Sequence, residues 1–255
     1  MSKSPKTKKP SYHSYPITAP RFWHGLRFGD YIKLLAKNRF AVHPSRWFPA
    51  FTISYFSVFN SCMALLQNIF YRSKIEAHEL TEPPIFIVGH WRSGTTFLHD
   101  LISLDQQFTF PSTLQCFLPN QCLITGRFFL KFDKYLIPDK RPQDNVATSF
   151  SKPQEDEFAI FNLGHHSPYM RMAFPNGPLV DDDYLTLENL TAVEVATWQD
   201  NLRYFVKLVS YQSPGKPVVL KSPPHLGRIK YLAEAFPGAK FIHITRSPYS
   251  LFPST

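Results

Sequence analysis

The sequence predicts an α/β fold of three layers, a parallel sheet flanked by helices, with a helical extension ahead of it. Three observations carry this. An apolar run, Ile85 to Val88, enters a glycine-bounded loop and then an apolar-periodic segment, as a strand, a turn and a helix would. Strand and helix signals then alternate to the end of the chain, the pattern of parallel strands joined by crossover helices. The 255 residues, 44% hydrophobic and 16% aromatic, suffice to bury one full core, which excludes disorder throughout.

Residues 1–20 carry Lys3, Lys6, Lys8 and Lys9 among Ser, Thr and Pro, and read as a disordered basic tail. The formal charge of +9 and pI near 9.4 fit an anionic ligand, nucleic acid or an acidic membrane surface. No basic helix or repeated Arg pattern continues the tail, so nucleic acid is not expected as a partner. Residues 21–82 read as the helical extension. From Trp47 to Tyr71, between Arg46 and Arg72, the chain holds no charge and is long enough for a helix that reaches across a bilayer. Thr52, Ser54, Ser57, Asn60, Ser61, Gln67 and Asn68 make such a span unfavourable, so an interfacial helix or one packed on the domain fits better. Trp47, Phe48, Phe51, Tyr55 and Phe56, with Arg39 and Arg46 just ahead, suit a headgroup boundary. A membrane surface is therefore an expected contact, with a packed helix the alternative.

Residues 83–255 form the α/β domain in this reading. The first strand is Ile85 to Val88 and its helix runs from Thr95 to about Leu104. Residues 108–187, rich in Pro, Asn, Gly and aromatics, read as an irregular insertion that shapes a pocket. From Thr191 to about Tyr211, the residues Val195, Trp198, Leu202, Phe205 and Val209 recur at steps of three and four, which defines an amphipathic helix. Pro214-Gly215 closes it, and Val218 to Lys221 gives a buried strand. A helix from about Gly227 to Phe236 follows, stopped by Pro237-Gly238. Lys240 to Thr245 is the third strand, and Arg246 to Pro248 turns into a last helix.

The loop after the first strand, Gly89-His90-Trp91-Arg92-Ser93-Gly94-Thr95-Thr96, is built for an anion. Its two glycines can take positive φ, and backbone N–H groups together with the positive end of the next helix would close around a phosphate. The spacing is that of the nucleotide-triphosphate P-loop, G-x-x-x-x-G-K-[ST], with Thr95 where the lysine should stand. A γ-phosphate would lose its fixed cation, which argues against ATP or GTP hydrolysis and leaves a P-loop-like fold with another ligand. Parallel sheets place ligands at the carboxyl ends of strands, so Lys221-Ser222 and Arg246 with Ser254 should converge on this loop. Two phosphate sites are implied, one at the loop and one at Arg246 and Ser254. Cys62, Cys116 and Cys122 are too few and too scattered for a disulfide framework or a zinc site, and His165-His166 lack further ligands at metal spacing, so no metal is expected. The polar start offers no apolar signal segment, which points to a reducing, cytoplasmic location, peripheral at the membrane if the uncharged helix contacts it.

GHWRSGTTFLHDLI, VVLKSPPHLGRIKYL and FPGAKFIHITRSPYSLFPS together resemble the sulfotransferase superfamily that uses 3'-phosphoadenosine 5'-phosphosulfate. The resemblance covers about Pro83 to Thr255. It points to the bacterial branch with an RSGTT loop, which is also similar to tyrosylprotein and carbohydrate sulfotransferases. It implies that Gly89, Arg92, Ser93, Gly94, Thr95 and Thr96 hold the 5'-phosphosulfate, that Arg246 and Ser254 hold the 3'-phosphate, and that Lys221 neutralises the leaving phosphate. Arg92 and Lys221 would supply the cations that in-line sulfuryl transfer to a hydroxyl needs. The acceptor would be a hydroxyl on a carbohydrate, a lipid or a protein tyrosine. The base is where the sequence departs from the family pattern. Cytosolic members place a histidine two residues beyond the strand-end lysine, where this chain has Pro223, and His225 lies further on. The stretch FPSTLQCF, where a glutamate is expected in tyrosylprotein sulfotransferases, holds no carboxylate. Glu155-Asp156-Glu157 is similar to an acidic patch in the bacterial branch, so Glu155 and Glu157 are candidate bases with His225 behind them. The alternative for the acidic run is a helix N-terminus that needs no chemistry. The resembling proteins continue past the position of Thr255, so a domain truncated at its C-terminal side is expected. A catalytically silent, membrane-associated nucleotide-binding remnant and a nucleotide kinase stand as rival readings.

Overall fold

The computed structural model describes residues 20–137, 147–177 and 181–254. The basic tail expected over residues 1–20 lies outside this range except for Pro20. In chain order the structure forms α1 (Phe28–Lys37), α2 (Trp47–Glu76), β1 (Ile85–Val88), α3 (Thr95–Ile102), α4 (Thr113–Phe117), α5 (Cys122–Lys131) and α6 (Asp133–Leu136). Then come α7 (Glu157–Asn162), α8 (Met170–Ala173), α9 (Ala192–Gln212), β2 (Val219–Lys221), α10 (Ile229–Ala235), β3 (Lys240–His243) and α11 (Pro248–Leu251).

The sheet has the order β2-β1-β3, and both pairings are parallel. Ile87 sits opposite Lys221 on one side and Ile242 on the other, so the three strands finish at one level. Phe86, Ile87 and Val88 are fully buried, as a central strand covered on both faces requires. β3 ends two residues earlier than the sequence suggests. Ile244 N–H donates to Val88 O at 3.0 Å, and past that bond β1 has turned into its loop, leaving Thr245 no partner. The helix expected from Gly227 begins instead as a 3₁₀ turn at Pro223, because two consecutive prolines fix φ for a tight start.

α9 follows its periodicity closely. Thr191 and Glu194 form a reciprocal capping box, and Trp198, Leu202, Phe205 and Val209 all face the main core. The described residues of the stretch 108–187 form short helices joined by irregular segments, and the stretch is tied to the sheet through Thr109. Thr109 N–H donates to Pro217 O at 3.0 Å, and Val219 N–H donates to Thr109 O at 2.7 Å.

α2 is longer than the uncharged stretch and has an inverted sidedness. Three of the polar residues that make it a poor membrane span, Ser57, Asn60 and Gln67, are buried against the protein, while Asn68 is exposed. Asn60 Nδ2 donates to His24 O at 2.6 Å and Leu26 O at 3.0 Å, and Gln67 Nε2 donates to Pro119 O at 2.8 Å. These bonds offset the cost of burying amide side chains. Phe51, Tyr55, Leu65, Ile69 and Phe70 stand on the outward face, each more than half exposed. A smaller apolar cluster of Leu26, Tyr31, Leu34, Ile53 and Phe161 joins α1 and the start of α2 to α7.

Candidate active site

The loop from Gly89 to Gly94 leaves the end of the central strand and delivers the chain to α3. Gly94, at φ 107°, is the N-cap of α3, and a glycine there has no side-chain oxygen to occupy the first-turn N–H groups. Those donors, with the positive end of the helix, remain for an anion. Only one of the two glycines uses positive φ. Arg92 takes the second such position at φ 65°, and Gly89 is required for space instead. A Cβ at Gly89 would lie 2.9 Å from Ile244 O, 2.9 Å from Ser93 Oγ and 3.0 Å from Thr95 Cγ2. Ser93 Oγ is buried without a hydrogen-bond partner among the described residues, an orphaned donor inside the cradle.

Lys221 is the last residue of β2 and is almost fully buried, so its ammonium must be paired. Its Nζ lies 2.6 Å from Glu155 Oε1 and donates to Thr96 Oγ1 at 3.3 Å, which puts the ion pair against the first turn of α3. The other oxygen of Glu155 accepts a hydrogen bond from the Tyr169 hydroxyl. Burial, then the Glu155 charge and that hydrogen bond, push the Tyr169 phenol well above its ordinary value, so it stays protonated and donates. His99, on α3 beneath the pair, is pushed down to about 3 by burial and then by the Lys221 charge. It is neutral, and its Nε2 donates to Val219 O at 3.2 Å.

The acidic run is split three ways. Glu155 faces the loop through Lys221. Asp156 is buried, with Oδ2 2.7 Å from His225 Nε2 and Oδ1 accepting from Ser222 Oγ at 3.0 Å. Burial raises the Asp156 carboxyl, but the His225 charge and the bonds from His225 and Ser222 outweigh it and hold the group below its usual value. Glu157 is fully buried, with Oε2 2.6 Å from Arg228 Nη1 and Oε1 accepting from Ser167 Oγ at 2.6 Å. Arg228 also lies over the Trp198 ring at 5.0 Å. The run therefore clamps the exit of β2, residues Lys221, Ser222, His225 and Arg228, to the insertion. The helix-N-terminus alternative also holds in part, since Asp156 is the N-cap of α7 and Glu157 lies in its first turn.

The structure thus brings Gly89, Arg92, Ser93, Gly94, Thr95, Thr96, Lys221 and Glu155 to one strand-end site. Arg246 joins them, its Nη1 donating to Arg92 O at 2.9 Å. Ser254 lies in the last described turn, Phe252–Ser254. Glu157 and His225 are not brought to the loop: both are buried, and their bonds go to Arg228, Ser167 and Asp156. Tyr169 was not singled out by sequence reasoning. Tyr169 lies 14 residues past Glu155 in a stretch without periodicity, and no spacing signal marks it.

A parallel sheet whose strand ends gather a glycine-bounded loop at a helix start, a strand-end lysine and a second arginine has the architecture of a P-loop-like α/β protein. The model of the sulfotransferase family matches residues 83–255, and the chain belongs to that family. Among curated relatives it is similar to omega-hydroxy-beta-dihydromenaquinone-9 sulfotransferase Stf3 of Mycobacterium bovis and of Mycobacterium tuberculosis. Each is 43% identical over 237 residues, which cover 93% of this chain and 61% of the relative. The chain spans about three fifths of the length of these relatives. Among solved structures, sulfotransferase STF1 from Mycobacterium tuberculosis H37Rv has a TM-score of 0.51 at 14% identity, covering 86% of this chain and 60% of that one. Sulfotransferase STF9 from Mycobacterium avium has a TM-score of 0.50 at 20% identity, covering 76% and 50%. These two likenesses support the fold alone.

Proposed function

We propose that the strand-end site transfers a sulfuryl group from 3'-phosphoadenosine 5'-phosphosulfate to the hydroxyl of a lipid acceptor. The observation that carries this reading is the Lys221–Glu155 pair set against the first turn of α3. It puts a cation and a carboxylate side by side at an anion cradle. The cradle fits the donor's phosphosulfate: Ser93 Oγ is a buried donor without a partner among the described residues, Gly89 lets Ser93 and the Ile244 carbonyl close in on the loop, and Gly94 puts no side-chain cap on the α3 N–H groups. When bound, the donor supplies the sulfuryl group and a phosphate leaving group. Glu155 takes the proton of the acceptor hydroxyl as its oxygen bonds to sulfur, and Lys221 neutralises charge on the phosphate oxygen as the S–O bond breaks. Tyr169 holds Glu155 in place through its second oxygen. Arg246, exposed and anchored on the loop carbonyl, would meet the donor's second phosphate, with Ser254 as the second contact in this reading.

The lipid acceptor is carried over from the Stf3 relatives, whose name gives a hydroxylated menaquinone derivative. It is supported by the outward apolar face of α2, which suits a membrane surface. α2 meets the length and hydropathy required of a span, with a mean hydropathy of 1.3, but its buried amides tie it to the protein. We therefore place it along the headgroup boundary.

Thermal shift tests the donor reading. Adenosine 3',5'-bisphosphate should raise the melting temperature more than ATP does at equal concentration. A larger shift with ATP would favour a nucleotide kinase. Offering a hydroxylated prenyl quinone, a tyrosine peptide and an oligosaccharide in parallel, with sulfated product read by mass spectrometry, tests the acceptor class. Product from the peptide or oligosaccharide alone would overturn the lipid assignment.

A further inference from the structure

A second feature lies outside the strand-end site. Between α1, the first turns of α2 and the segment around residues 172–177 is a cavity of about 840 Å³. That is within the range of about 300–1,000 Å³ typical of sites that enclose a small organic ligand. Its wall is apolar, formed by Trp23, Leu34, Val42, Ile53, Met172 and Phe174. Its charged lining has one sign: Arg21, Lys37, Arg39 and Arg46 contribute, and no Asp or Glu is among the described lining residues. Lys37 lies 3.8 Å from Asp181, but Arg39 and Arg46 are exposed and have no carboxylate within ion-pair distance among the described residues. An apolar chamber with a cationic rim complements a molecule with a hydrocarbon body and an anionic head.

The chamber and the outward face of α2 share the same turns. Arg46, Pro49, Ala50 and Ile53 line the cavity. Trp47, Phe48 and Phe51, interleaved with them, point outward at 64%, 52% and 71% exposure. Aromatic residues of this kind seat a helix at the headgroup level, and basic residues beside them attract anionic lipid. We infer that this cavity binds one anionic phospholipid drawn from the membrane, an acyl chain inside and the headgroup phosphate on Arg39 and Arg46. The site is separate from Lys221 and Glu155 and does not depend on what acceptor they serve.

The test uses Trp23, which lines the cavity, in the full chain carrying Trp47→Phe and Trp91→Phe so that neither exposed tryptophan reports; Trp198, buried in the main core, stays as a constant background. Vesicles of phosphatidylcholine with one fifth phosphatidylglycerol brominated on its acyl chains should quench emission at least threefold more than vesicles in which only phosphatidylcholine is brominated to the same level. Filling the cavity by Ala50→Phe or, separately, Ala173→Phe should remove at least half of that quenching. Arg39→Gln with Arg46→Gln should remove the difference between the two lipids. Equal quenching by both lipids, no quenching by either, or full quenching in both filled variants would each overturn the inference. Melting curves verify that the variants are folded. Sulfated-product formation with a detergent-solubilised acceptor, measured on the same samples, separates a failure here from a failure of the strand-end reading.

Discussion

Glu155→Gln removes one charge and keeps the shape of the side chain. Glu155 is 15% exposed and Lys221 is 2% exposed, so the pair sits where water screens little, and the ammonium would keep only the amide oxygen and Thr96 Oγ1 as partners. Breaking a buried pair by removing one partner altogether costs about 3–5 kcal/mol. The hydrogen bond that glutamine retains offsets part of this, so a loss of about 2–3 kcal/mol is expected. For a chain of this size that corresponds to a melting temperature lower by roughly 5–12 °C. Turnover should fall further than stability, by about 10²–10⁴-fold at temperatures where the variant is folded, because Glu155 is the carboxylate that pairs with Lys221 at the loop. Lys221→Met combined with Glu155→Gln should restore much of the stability and none of the activity, since both charges are then gone. The assay pairs thermal unfolding with donor-derived adenosine 3',5'-bisphosphate release. A single variant with at least half of normal turnover refutes the role assigned to Glu155, whatever its stability.

Further predictions concern groups that the same geometry explains. Burial first of all pushes His24 to about 4, His99 to about 3 and His165 to about 4, against an ordinary 6.5, so all three are neutral in the folded chain. The unfolded chain takes up their protons first as pH falls. Stability should therefore be full above pH 6.5 and decline by up to about 4 kcal/mol per pH unit between roughly pH 6 and 4.5, measured by urea unfolding; a flat profile there contradicts the assignment. Gly89→Ala should cost about 1–3 kcal/mol and weaken adenosine 3',5'-bisphosphate binding more than tenfold, since its Cβ displaces Ser93 or the Ile244 carbonyl; unchanged affinity by calorimetry would contradict the cradle. Glu157→Gln leaves Arg228 buried beside a neutral partner and should lower stability by about 3 kcal/mol, with turnover per folded molecule within threefold of normal. A selective loss of turnover there would return Glu157 to the list of bases.

The positions of the strands and the place of the loop were legible because each is written locally. Ile85–Val88 and Val219–Lys221 are short apolar runs with turn residues at their ends, and Trp198, Leu202, Phe205 and Val209 repeat at helical spacing. Lys221 and Arg246 could be assigned to the loop from strand ends alone, since a parallel sheet delivers them there. The acidic run was legible as a cluster but not as three separate roles. Alternation of side-chain direction around a helix start sends Glu155 toward Lys221 and turns Asp156 and Glu157 into the core, and their partners His225 and Arg228 are about seventy residues away. Spacing cannot show a pairing of that range. Tyr169 is hidden for another reason: it lies only 14 residues past Glu155, in a stretch without periodicity. For α2, composition showed both the polar and the aromatic residues, yet only packing shows that Asn60 and Gln67 face inward and leave the apolar side outside.

The most direct measurement of the central claim follows a labelled sulfuryl group in a single turnover. Donor labelled with ³⁵S is mixed with excess protein and a hydroxylated prenyl quinone in detergent. The account predicts label in the lipid fraction, an equimolar yield of adenosine 3',5'-bisphosphate, and loss of both in Lys221→Met. Label that stays on the donor, or appears only as inorganic sulfate while Lys221→Met behaves like the native chain, would contradict it.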